Sequence, residues 1–402
     1  MRFNTMKVAD LISEISMGPF GSNIKVECFV DTGIPVLNGS NLDGFVLKED
    51  SFRYVTEEKA DSLGRANAHR GDVVITHRGT LGQIVFIPED SKYDRYVISQ
   101  SQFRVRCNET IMPEYLVYYF HTRLGQHKLL SNASQVGVPA LARASTTFQK
   151  IEIEVPDIET QHRIVDILET IRKKIKVNDE INENLLQQAQ ALYIHMFADN
   201  ESVTPATIAE VALNVTDGVH NTVHDDPKGD FLLLSCKNIK GGFLSIGPTE
   251  RRISKDTFEK LRRRTKLAKG DVLISSVGTV GELLMLNTEP TNYEFQRSVA
   301  IVKPNPEIVS AAYLYESLVF QRAELINSAH GAVQQCLFIS DIAGFPINIP
   351  HPEDLQIFNG AVVPMFDAIS ANEAESRALA EMRDLLLPQL MSGELDVSDL
   401  DL

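Results

Sequence analysis

The sequence predicts two copies of one α+β domain, separated by two long helices that pack on each other. Three observations support this fold class. The chain repeats itself after about 200 residues, each copy begins with short strand-like runs, and each copy ends in about 40 residues with a heptad pattern. With 402 residues the chain is long enough for two or three domains.

Composition points to an ordinary globular protein of the cytoplasm. Hydrophobic residues make up 43% and charged residues 23% of the chain, so extensive disorder is not expected. The cysteines Cys28, Cys107, Cys236 and Cys336 are scattered without C-x-x-C spacing, which favours reduced thiols. No secretory signal and no apolar run long enough to span a membrane are evident, so we expect no membrane partner.

The repeat is visible in two pairs of segments. "GIPVLNGSNLDGFVL" (33–47) matches "GDFLLLSCKNIKGGFLSI" (229–246), and "RGDVVITHRGTLGQIVFI" (70–87) matches "KGDVLISSVGTVGELLML" (269–286). We also pair Glu14 with Glu210. The period is too long for a solenoid, so it indicates a tandem duplication of one domain plus one connecting element.

Within each copy, short apolar runs bounded by Gly and Pro predict strands. One helical insert interrupts them, "PEYLVYYFHTRLGQHKLL" in the first copy and "SAAYLYESLVFQRAEL" in the second. We therefore expect one domain at 1–155 and another at 199–349.

The connecting elements are predicted helices at 156–198 and 350–392, followed by an acidic tail at 393–402. Asp157 is the expected N-cap of the first helix, and Pro364 should kink the second or delay its start. Apolar and Asn positions spaced alternately by three and four residues form the predicted seam: Ile164, Leu168, Ile171, Ile175, Asn178, Leu185, Leu192, Leu355, Phe358, Val362, Met365, Ile369, Asn372, Leu379, Leu386 and Leu390.

Two matching seams are expected to pack on each other, because an unpaired seam would expose a long apolar stripe. Asn178 and Asn372 each lie near the middle of their helix and should meet, which fixes the register. Both an antiparallel and a parallel pair would align them, so these residues leave the orientation open.

Catalytic motifs are missing from the sequence. It has neither the [DNS]-P-P-[FYW] tetrapeptide of amino-methyltransferases nor a G-x-x-x-x-G-K-[ST] phosphate loop, and H-E-x-x-H is missing too. The Gly pairs in "GTLG" and "GTVG" are better explained by tight turns. His220 and His224 are spaced like metal ligands, but they lie among turn formers and the first copy has no His there. We therefore expect no metal site and no catalytic residues.

Positions that are identical in both copies (Gly71, Asp72, Gly79, Thr80 and Gly82) are expected to build the scaffold. Polar positions beside them that differ are candidate recognition residues. If the ligand is DNA, they are the candidate readers of base edges, because side chains carry sequence information to the grooves. In the first copy these candidates are Ser22, Asn23, Lys25, Ser40, Arg78, Gln100, Gln102, Ser134 and Gln135. In the second they are His220, Asn221, His224, Lys237, Asn238, Arg262, Arg263, Arg264, Gln296, Arg297, Gln334 and Gln335.

Charge gives a mixed indication for nucleic acid. The formal net charge of −15 is unfavourable, because phosphates are neutralised by Lys and Arg. The distribution is more informative, since residues 250–270 contain nine cations and three carboxylates. Such a stretch is either a solvated helix face or a local phosphate-binding surface.

Taken together, "GPFGSNIK" with "GIPVLNGSNL", "GDVVITHRGTLGQ", "NDEINENLLQQAQALYIHMF" and "MRDLLLPQLMSGEL" resemble the specificity subunit of type I restriction–modification enzymes. The resemblance covers essentially the whole chain in order, in both halves. It implies two pseudo-symmetric α/β target-recognition domains that each read half of a bipartite double-stranded DNA site. It also implies that the two helices form an antiparallel coiled coil, which spaces the domains and docks two methyltransferase subunits.

The resemblance further implies that motor-nuclease subunits join this core. S-adenosylmethionine, ATP and Mg are then expected only in the partner subunits, with no cofactor on this chain. Because the two reader sets differ, the half-sites should differ. The alternative is a non-enzymatic, two-headed adaptor for protein partners. The bases read, the gap length and the adenines methylated do not follow from the sequence.

Overall fold

The computed structural model describes residues 2–134, 138–200, 202–220, 222–247, 249–331 and 335–398, with the backbone alone at Ser22. The chain divides into two compact units, each formed by one domain and parts of both long helices. Unit 1 comprises Met1–Lys174 and Ala378–Leu402, and unit 2 comprises Ile175–Arg377.

Unit 1 contains thirteen short strands and four short helices within its described residues. The strands are β1 (Phe3–Lys7), β2 (Ile12–Met17), β3 (Phe29–Val30), β4 (Ile34–Val36), β5 (Arg53–Val55), β6 (Asn67–His69), β7 (Asp72–Thr76), β8 (Ile84–Phe86), β9 (Arg95–Val97), β10 (Gln102–Cys107), β11 (Ala133–Ser134), β12 (Ala140–Leu141) and β13 (Glu152–Pro156). The helices are α1 (Glu57–Ser62), α2 (Pro113–His121), α3 (Arg123–Leu130) and α4 (Ala144–Gln149).

Unit 2 repeats most of this order, after the long helix α5 (Ile158–Phe197) and before the long helix α11 (Pro352–Ser392). Its strands are β14 (Val203–Thr207), β15 (Ala212–Asp217), β16 (Phe231–Leu234), β17 (Ile239–Lys240), β18 (Phe243–Leu244), β19 (Arg251–Ile253), β20 (Val272–Ser275), β21 (Leu283–Met285), β22 (Tyr293–Phe295), β23 (Val299–Pro304) and β24 (Pro346–Pro350). Its short helices are α6 (Ile208–Val211), α7 (Lys255–Thr265), α8 (Ala311–Phe320), α9 (Arg322–Asn327) and α10 (Ile339–Ala343).

Each unit is built on a four-stranded antiparallel sheet with the same strand order. The order is β2-β10-β7-β8 in unit 1 and β15-β23-β20-β21 in unit 2. A two-stranded ribbon joins the ends of each domain, β1 with β13 and β14 with β24. The second sheet differs, with five strands in unit 1 (β3-β5-β4-β9-β6) and three in unit 2 (β19-β16-β22). The mixed helix and sheet class is confirmed, and the duplication is visible in the shared sheet.

The pairing of Glu14 with Glu210 is wrong. Glu14 lies in β2 and is placed opposite Arg106 of β10, whereas Glu210 lies in α6 and caps that helix from its own first turn. Asn214 of β15, opposite Lys303, occupies the position of Glu14. Glu210 belongs to the short segment before the strand, and this segment contains an acidic residue in both copies, which explains the wrong pairing.

The helical insert is two helices in each unit rather than one. In unit 1, Thr122 ends α2 and its hydroxyl accepts a hydrogen bond from the Gly125 amide at 3.0 Å, which starts α3. α2 and its counterpart α8 are buried against the four-stranded sheets. Tyr115 and Tyr313 hold equivalent places on them, and each hydroxyl donates to a backbone carbonyl, of Glu154 at 3.1 Å and of Asn348 at 2.7 Å.

The two long helices, α5 and α11, contain 40 and 41 residues. The Asp157 carboxylate accepts a hydrogen bond from the Thr160 amide at 2.9 Å, as expected for the N-cap of α5. α11 begins at Pro352, so Pro364 does not delay its start. None of the helices within the described residues has the length and apolar character needed to cross a membrane.

Within each unit the long helices pack antiparallel. In unit 1 the first turns of α5 share a core with the last turns of α11, through Ile164, Leu168 and Leu390. In unit 2 the last turns of α5 share a core with the first turns of α11, through Tyr193 and Phe358, whose ring centroids lie 6.1 Å apart. The orientation that the residues alone left open is therefore antiparallel.

All sixteen predicted seam residues are buried or half-buried. Further side chains on the two helices are also buried, among them Tyr193, Phe197, Phe366, Leu387 and Met391. A strict heptad seam misses them because these helices contact the domain bodies as well as each other, which widens the apolar face. In unit 2 the seam contains a polar layer, in which the Asn372 side chain donates to Asn182 at 2.8 Å and that of Asn178 to Ser376 at 3.2 Å.

Candidate nucleic-acid interface

Loops from several elements meet at one end of the four-stranded sheet in each unit. This end is where β2, β7 and their counterparts β15 and β20 finish, and where β8, β10, β21 and β23 begin. We call it the strand-end edge. It is formed by residues 18–23, 77–82 and 99–101 in unit 1, and by 218–220, 276–281 and 296–298 in unit 2.

Backbone hydrogen bonds hold the two strand-end edges in the same frame. The His77 amide donates to the Ser101 carbonyl at 2.8 Å, and the Ser276 amide donates to the Ser298 carbonyl at 2.9 Å. A later segment then pairs with the same turn. Leu141 donates to the His77 carbonyl and Leu337 to the Ser276 carbonyl, both at 2.9 Å.

Glycines at the strand-end edge are required by this frame. A Cβ on Gly18 would lie 1.9 Å from the Ser99 carbonyl oxygen, and one on Gly218 would lie 2.1 Å from that of Phe295. In the turns after β7 and β20, Gly79 and Gly278 have φ values of +91° and +84°, which disfavour any side chain. The prediction that "GTLG" and "GTVG" form tight turns is confirmed.

The side chains carried by this shared frame differ. Arg78 is exposed on the turn of unit 1, where unit 2 has Val277. Arg297 is exposed on the loop before β23, where unit 1 has the exposed Gln100. Each edge therefore presents one exposed arginine, but on a different loop.

Fourteen of the other candidate readers are exposed, half-buried or outside the described residues. Exposed side chains are those of Asn23, Lys25, Ser40, Ser134, His220, His224, Lys237, Arg263 and Gln335, while Gln296 is half-buried. Lys237 forms an ion pair with Glu250 at 2.9 Å. The side chain of Ser22 and the whole of Gln135, Asn221 and Gln334 lie outside the described residues.

Gln102 and Asn238 belong to the frame and do not reach the surface, which corrects their selection as readers. Gln102 has no exposed surface; its amide oxygen accepts from the Ser99 amide at 2.8 Å and its amide nitrogen donates to the Asn38 carbonyl at 3.2 Å. Asn238 is 1% exposed and bonds to the backbone of Ser235 and Ser245.

Asn41 makes the equivalent bonds in unit 1, to the backbone of Asn38 and Lys48. The sequence contained a signal for this role, because Asn41 and Asn238 are identical in the two copies and identity indicates scaffold. By that rule Asn238 is a scaffold residue rather than a reader.

Two of the three consecutive arginines of α7 are also used inside unit 2. Arg262 pairs with the buried Glu294 and donates to the Tyr293 carbonyl at 2.9 Å. Arg264 donates to the Asp217 carboxylate at 2.9 Å and to the Gly218 carbonyl at 2.7 Å. Of the three, Arg263 alone is left facing solvent with no acidic partner among the described residues.

Asp217 connects this helix to the strand-end edge, because it also accepts from the His220 ring at 2.5 Å. The histidine that resembled a metal ligand is thus engaged with a single carboxylate and lies next to an arginine. Among the described residues, no three His, Cys, Asp or Glu side chains are grouped to hold a metal ion.

Each four-stranded sheet has a buried carboxylate, at the start of β7 or just before β20, that pairs with cations of the neighbouring strand. Asp72 at the start of β7 contacts Arg106 at 2.8 Å and Arg104 at 3.2 Å, and its counterpart Asp271 contacts Lys303 at 2.5 Å. In unit 1 the network continues to Glu14. Burial by itself would raise the pKa of Glu14, but the hydrogen bonds and positive charges of its arginine partners lower it below the usual value.

Comparison with known proteins agrees with this architecture. Residues 24–187 match the family model described as "Type I restriction modification DNA specificity domain". The chain is 23% identical over 425 residues to the type I restriction enzyme MjaIX specificity subunit of Methanocaldococcus jannaschii, an alignment that covers 99% of this chain and 94% of the relative. It is 25% identical over 406 residues to the HindI specificity subunit of Haemophilus influenzae, covering 81% and 87%.

Among solved structures, the crystal structure of a type I restriction–modification S subunit from M. genitalium is similar over 99% of this chain and 97% of its own length. The TM-score is 0.56 at 12% sequence identity, so this similarity concerns the fold.

Proposed function

We propose that the chain is the DNA-specificity subunit of a type I restriction–modification complex and that each unit reads one half of an asymmetric, bipartite target. Support comes from the specificity subunits that it resembles over most of its length. The observation that carries this proposal is the pair of strand-end edges. They repeat the same backbone hydrogen bonds and glycines but carry different exposed side chains, which is how two readers of different sequences can share one fold.

In this proposal the edge residues read base edges in the major groove. Arg78 and Arg297 would each pair with a guanine, since a guanidinium matches guanine O6 and N7 in a bidentate way. Gln100 is suited to adenine by the same geometry of two adjacent hydrogen bonds. Because arginine lies on a different loop in each unit, the guanine would occupy a different position in each half-site.

The chain would have no catalytic role of its own. We propose that methyltransferase subunits, two per chain as the pseudo-symmetry suggests, dock on the long helices and supply S-adenosylmethionine chemistry. Motor-nuclease subunits would add ATP- and Mg-dependent cleavage, and the assembly would act in the cytoplasm. The antiparallel helix pair would then set the spacing between the half-sites.

The test is an exchange of recognition domains followed by single-molecule methylome sequencing. Replacing residues 1–155 with the corresponding domain of a relative should change one half-site and leave the other half-site and the gap intact. Replacing 199–349 is the matched exchange and should change only the other half. If either exchange altered both half-sites, or neither did, the modular assignment would be wrong.

The spacing is tested separately by adding one heptad at matched positions in α5 and α11. The expected result is a longer unread gap between unchanged half-sites. An unchanged gap, in a complex that still methylates its site, would contradict the role of the helices as a spacer.

A further inference from the structure

The equivalent helices α1 of unit 1 and α7 of unit 2 differ in charge. α1 follows β5 and α7 follows β19, and a hydroxyl caps each N-terminus, from Thr56 and Ser254 respectively. α1 contains three carboxylates and one lysine, whereas α7 contains five cations and two carboxylates. A duplicated position that is acidic in one copy and basic in the other is suited to a role in unit 2 alone.

The cations of α7 separate into two sets with different surroundings. Arg262 and Arg264 point to either side and tie the helix to unit 2 through Glu294 and Asp217. Lys260 and Arg263 are exposed, and neither forms an ion pair with a carboxylate among the described residues. They are three residues apart on the helix, so their charges lie on one face.

α7 is also continuous with the strand-end edge of unit 2. Arg264 bonds to Asp217 and Gly218, where β15 ends, and the Asp217 carboxylate also accepts from His220. The C-cap residue, Lys266, is exposed and adds a further cation at this end of the helix. A duplex lying against the edge would therefore meet these charges next to the bases that the edge reads.

We propose that the exposed face of α7, formed by Lys260, Arg263 and Lys266, binds backbone phosphates of the DNA beside the half-site read by unit 2. This inference rests on the proposed function. It adds that the two units contribute unequally to DNA affinity, because α7 of unit 2 supplies phosphate contacts that α1 of unit 1 does not. Phosphate contacts position a protein on DNA without selecting sequence, so α7 contributes affinity and no base preference.

The experiment uses the complex of the full chain with its methyltransferase subunits and measures binding to a target duplex over a range of salt concentrations. In the variant Lys260→Gln/Arg263→Gln, losing two phosphate contacts should reduce the slope of log K against log salt by about 1.8. At 0.1 M salt this corresponds to a loss of affinity of about 10- to 60-fold. The methylated sequence should stay the same.

The matched control removes the same charge far from the edge, with Lys7→Gln/Lys150→Gln in unit 1. Both lysines are exposed and lie near the beginning of β2, at the opposite end of the sheet. The control should keep the wild-type slope. Equal slopes for the α7 variant and the wild type would overturn the proposal, and a change in the methylated sequence would show that α7 reads bases instead.

The outcome is distinguishable from failure of the proposed function. If the wild-type complex showed no preference for any split sequence, the function would fail. A salt slope that still decreased in the α7 variant on arbitrary duplex DNA would uphold phosphate binding in that case.

Discussion

The two units have the same four-stranded sheet and the same edge frame, yet they carry different exposed side chains at several positions of it, such as Gln100 and Arg297. Unit 1 has a five-stranded second sheet and the acidic α1, while unit 2 has a three-stranded one and the basic α7. Backbone bonds between loops were retained after duplication because losing them would leave buried amides and carbonyls unpaired. Exposed side chains are not under this constraint, so they can differ between the units, as the proposed reading of two different half-sites requires.

The largest expected effect on stability comes from substitution of the buried carboxylates Asp72 and Asp271. Asp72 is fully buried and supports two arginines, one of which, Arg104, is also buried, whereas Asp271 supports one lysine. We expect Asp72→Asn to lower the free energy of unfolding by about 3 kcal/mol, the lower end of the cost of breaking a buried pair, because the buried Arg104 then keeps only Glu14 as a carboxylate partner. Asp271→Asn should cost less, since the flexible Lys303 can turn toward water.

Urea unfolding of the full chain measures both losses. Asp94→Asn is the control, because Asp94 also pairs with an arginine, Arg70 at 2.9 Å, but its side chain is 86% exposed. A loss for Asp72→Asn no larger than that of the control would contradict a shared structural role for the two buried acids.

A buried carboxyl distinguishes α8 from α2. Glu316 is 1% exposed, and its Oε1 has no hydrogen-bond partner among the described residues. The equivalent residue in unit 1 is Tyr118, which donates to Glu169 at 2.7 Å. Burial raises the pKa of Glu316 to about 8, far above its usual value. The folded chain therefore holds a proton that the unfolded chain releases at lower pH.

Because the native state holds this proton, the stability of the folded chain depends on pH. Between the unfolded pKa and about 8 the native state binds more protons, so its stability decreases as pH rises through that window. Glu316→Gln should remove this loss and stabilise the chain by about 3 kcal/mol at pH 7. The gain should be small at pH 5 and larger at pH 8 when unfolding is measured at each. Glu324→Gln on α9, an exposed site, should show no such trend.

Substitution of the arginines at the two strand-end edges tests whether each unit reads its own half-site. Arg78→Ala should relax one position of one half-site, and Arg297→Ala one position of the other, each by about 1–3 kcal/mol of discrimination. Competition between duplexes with randomised half-sites, scored by methylation, gives both values. Arg123→Ala, an exposed arginine at the start of α3, should leave both half-sites unchanged. Relaxation of both half-sites by one substitution would contradict the separation of the readers.

Features set by local spacing could be predicted from the sequence, and features set by distant partners could not. The seam of α5 and α11, the Asp157 cap and the Gly turns depend on residues within one or two turns of each other. The burial of Gln102 depends on the Asn38 carbonyl, 64 residues away, and the pairing of Arg264 depends on Asp217, 47 residues away. Unless those partners are known, a polar residue beside a repeated turn has the same sequence pattern whether it faces the interior or the solvent.

Identity between the two copies indicates some of the polar residues that are structural. Asn41 and Asn238 are identical and both belong to the frame, so the rule that identity indicates scaffold predicts their role correctly when it is applied to them. The rule is less useful where the copies differ, because Arg262 and Arg264 have no counterpart that could show which of the charges is structural.

The smallest expected effect concerns the helix pair, whose two parts also differ. The part in unit 1 is apolar at Ile164, Leu168 and Leu390, while the part in unit 2 contains the hydrogen bond from Asn372 to Asn182. Replacing Asn182 alone with Leu should cost about 1–3 kcal/mol, because the Asn372 amide loses its partner in a largely buried place. Replacing both with Leu should change the free energy of unfolding by less than about 1 kcal/mol, since neither amide is then left unpaired.

The double substitution should nevertheless reduce the specificity of pairing. A polar layer fixes the register of a coiled coil at some cost in stability, so its removal permits shifted or intermolecular pairing of the helices. Size-exclusion chromatography of the double variant should then show additional oligomers, and a double-mutant cycle should show that the two substitutions are not additive. The matched control Leu168→Ala in unit 1 should lower stability by about 2–5 kcal/mol without new oligomers. A uniform monomer for the double variant would mean that the apolar positions alone define the register.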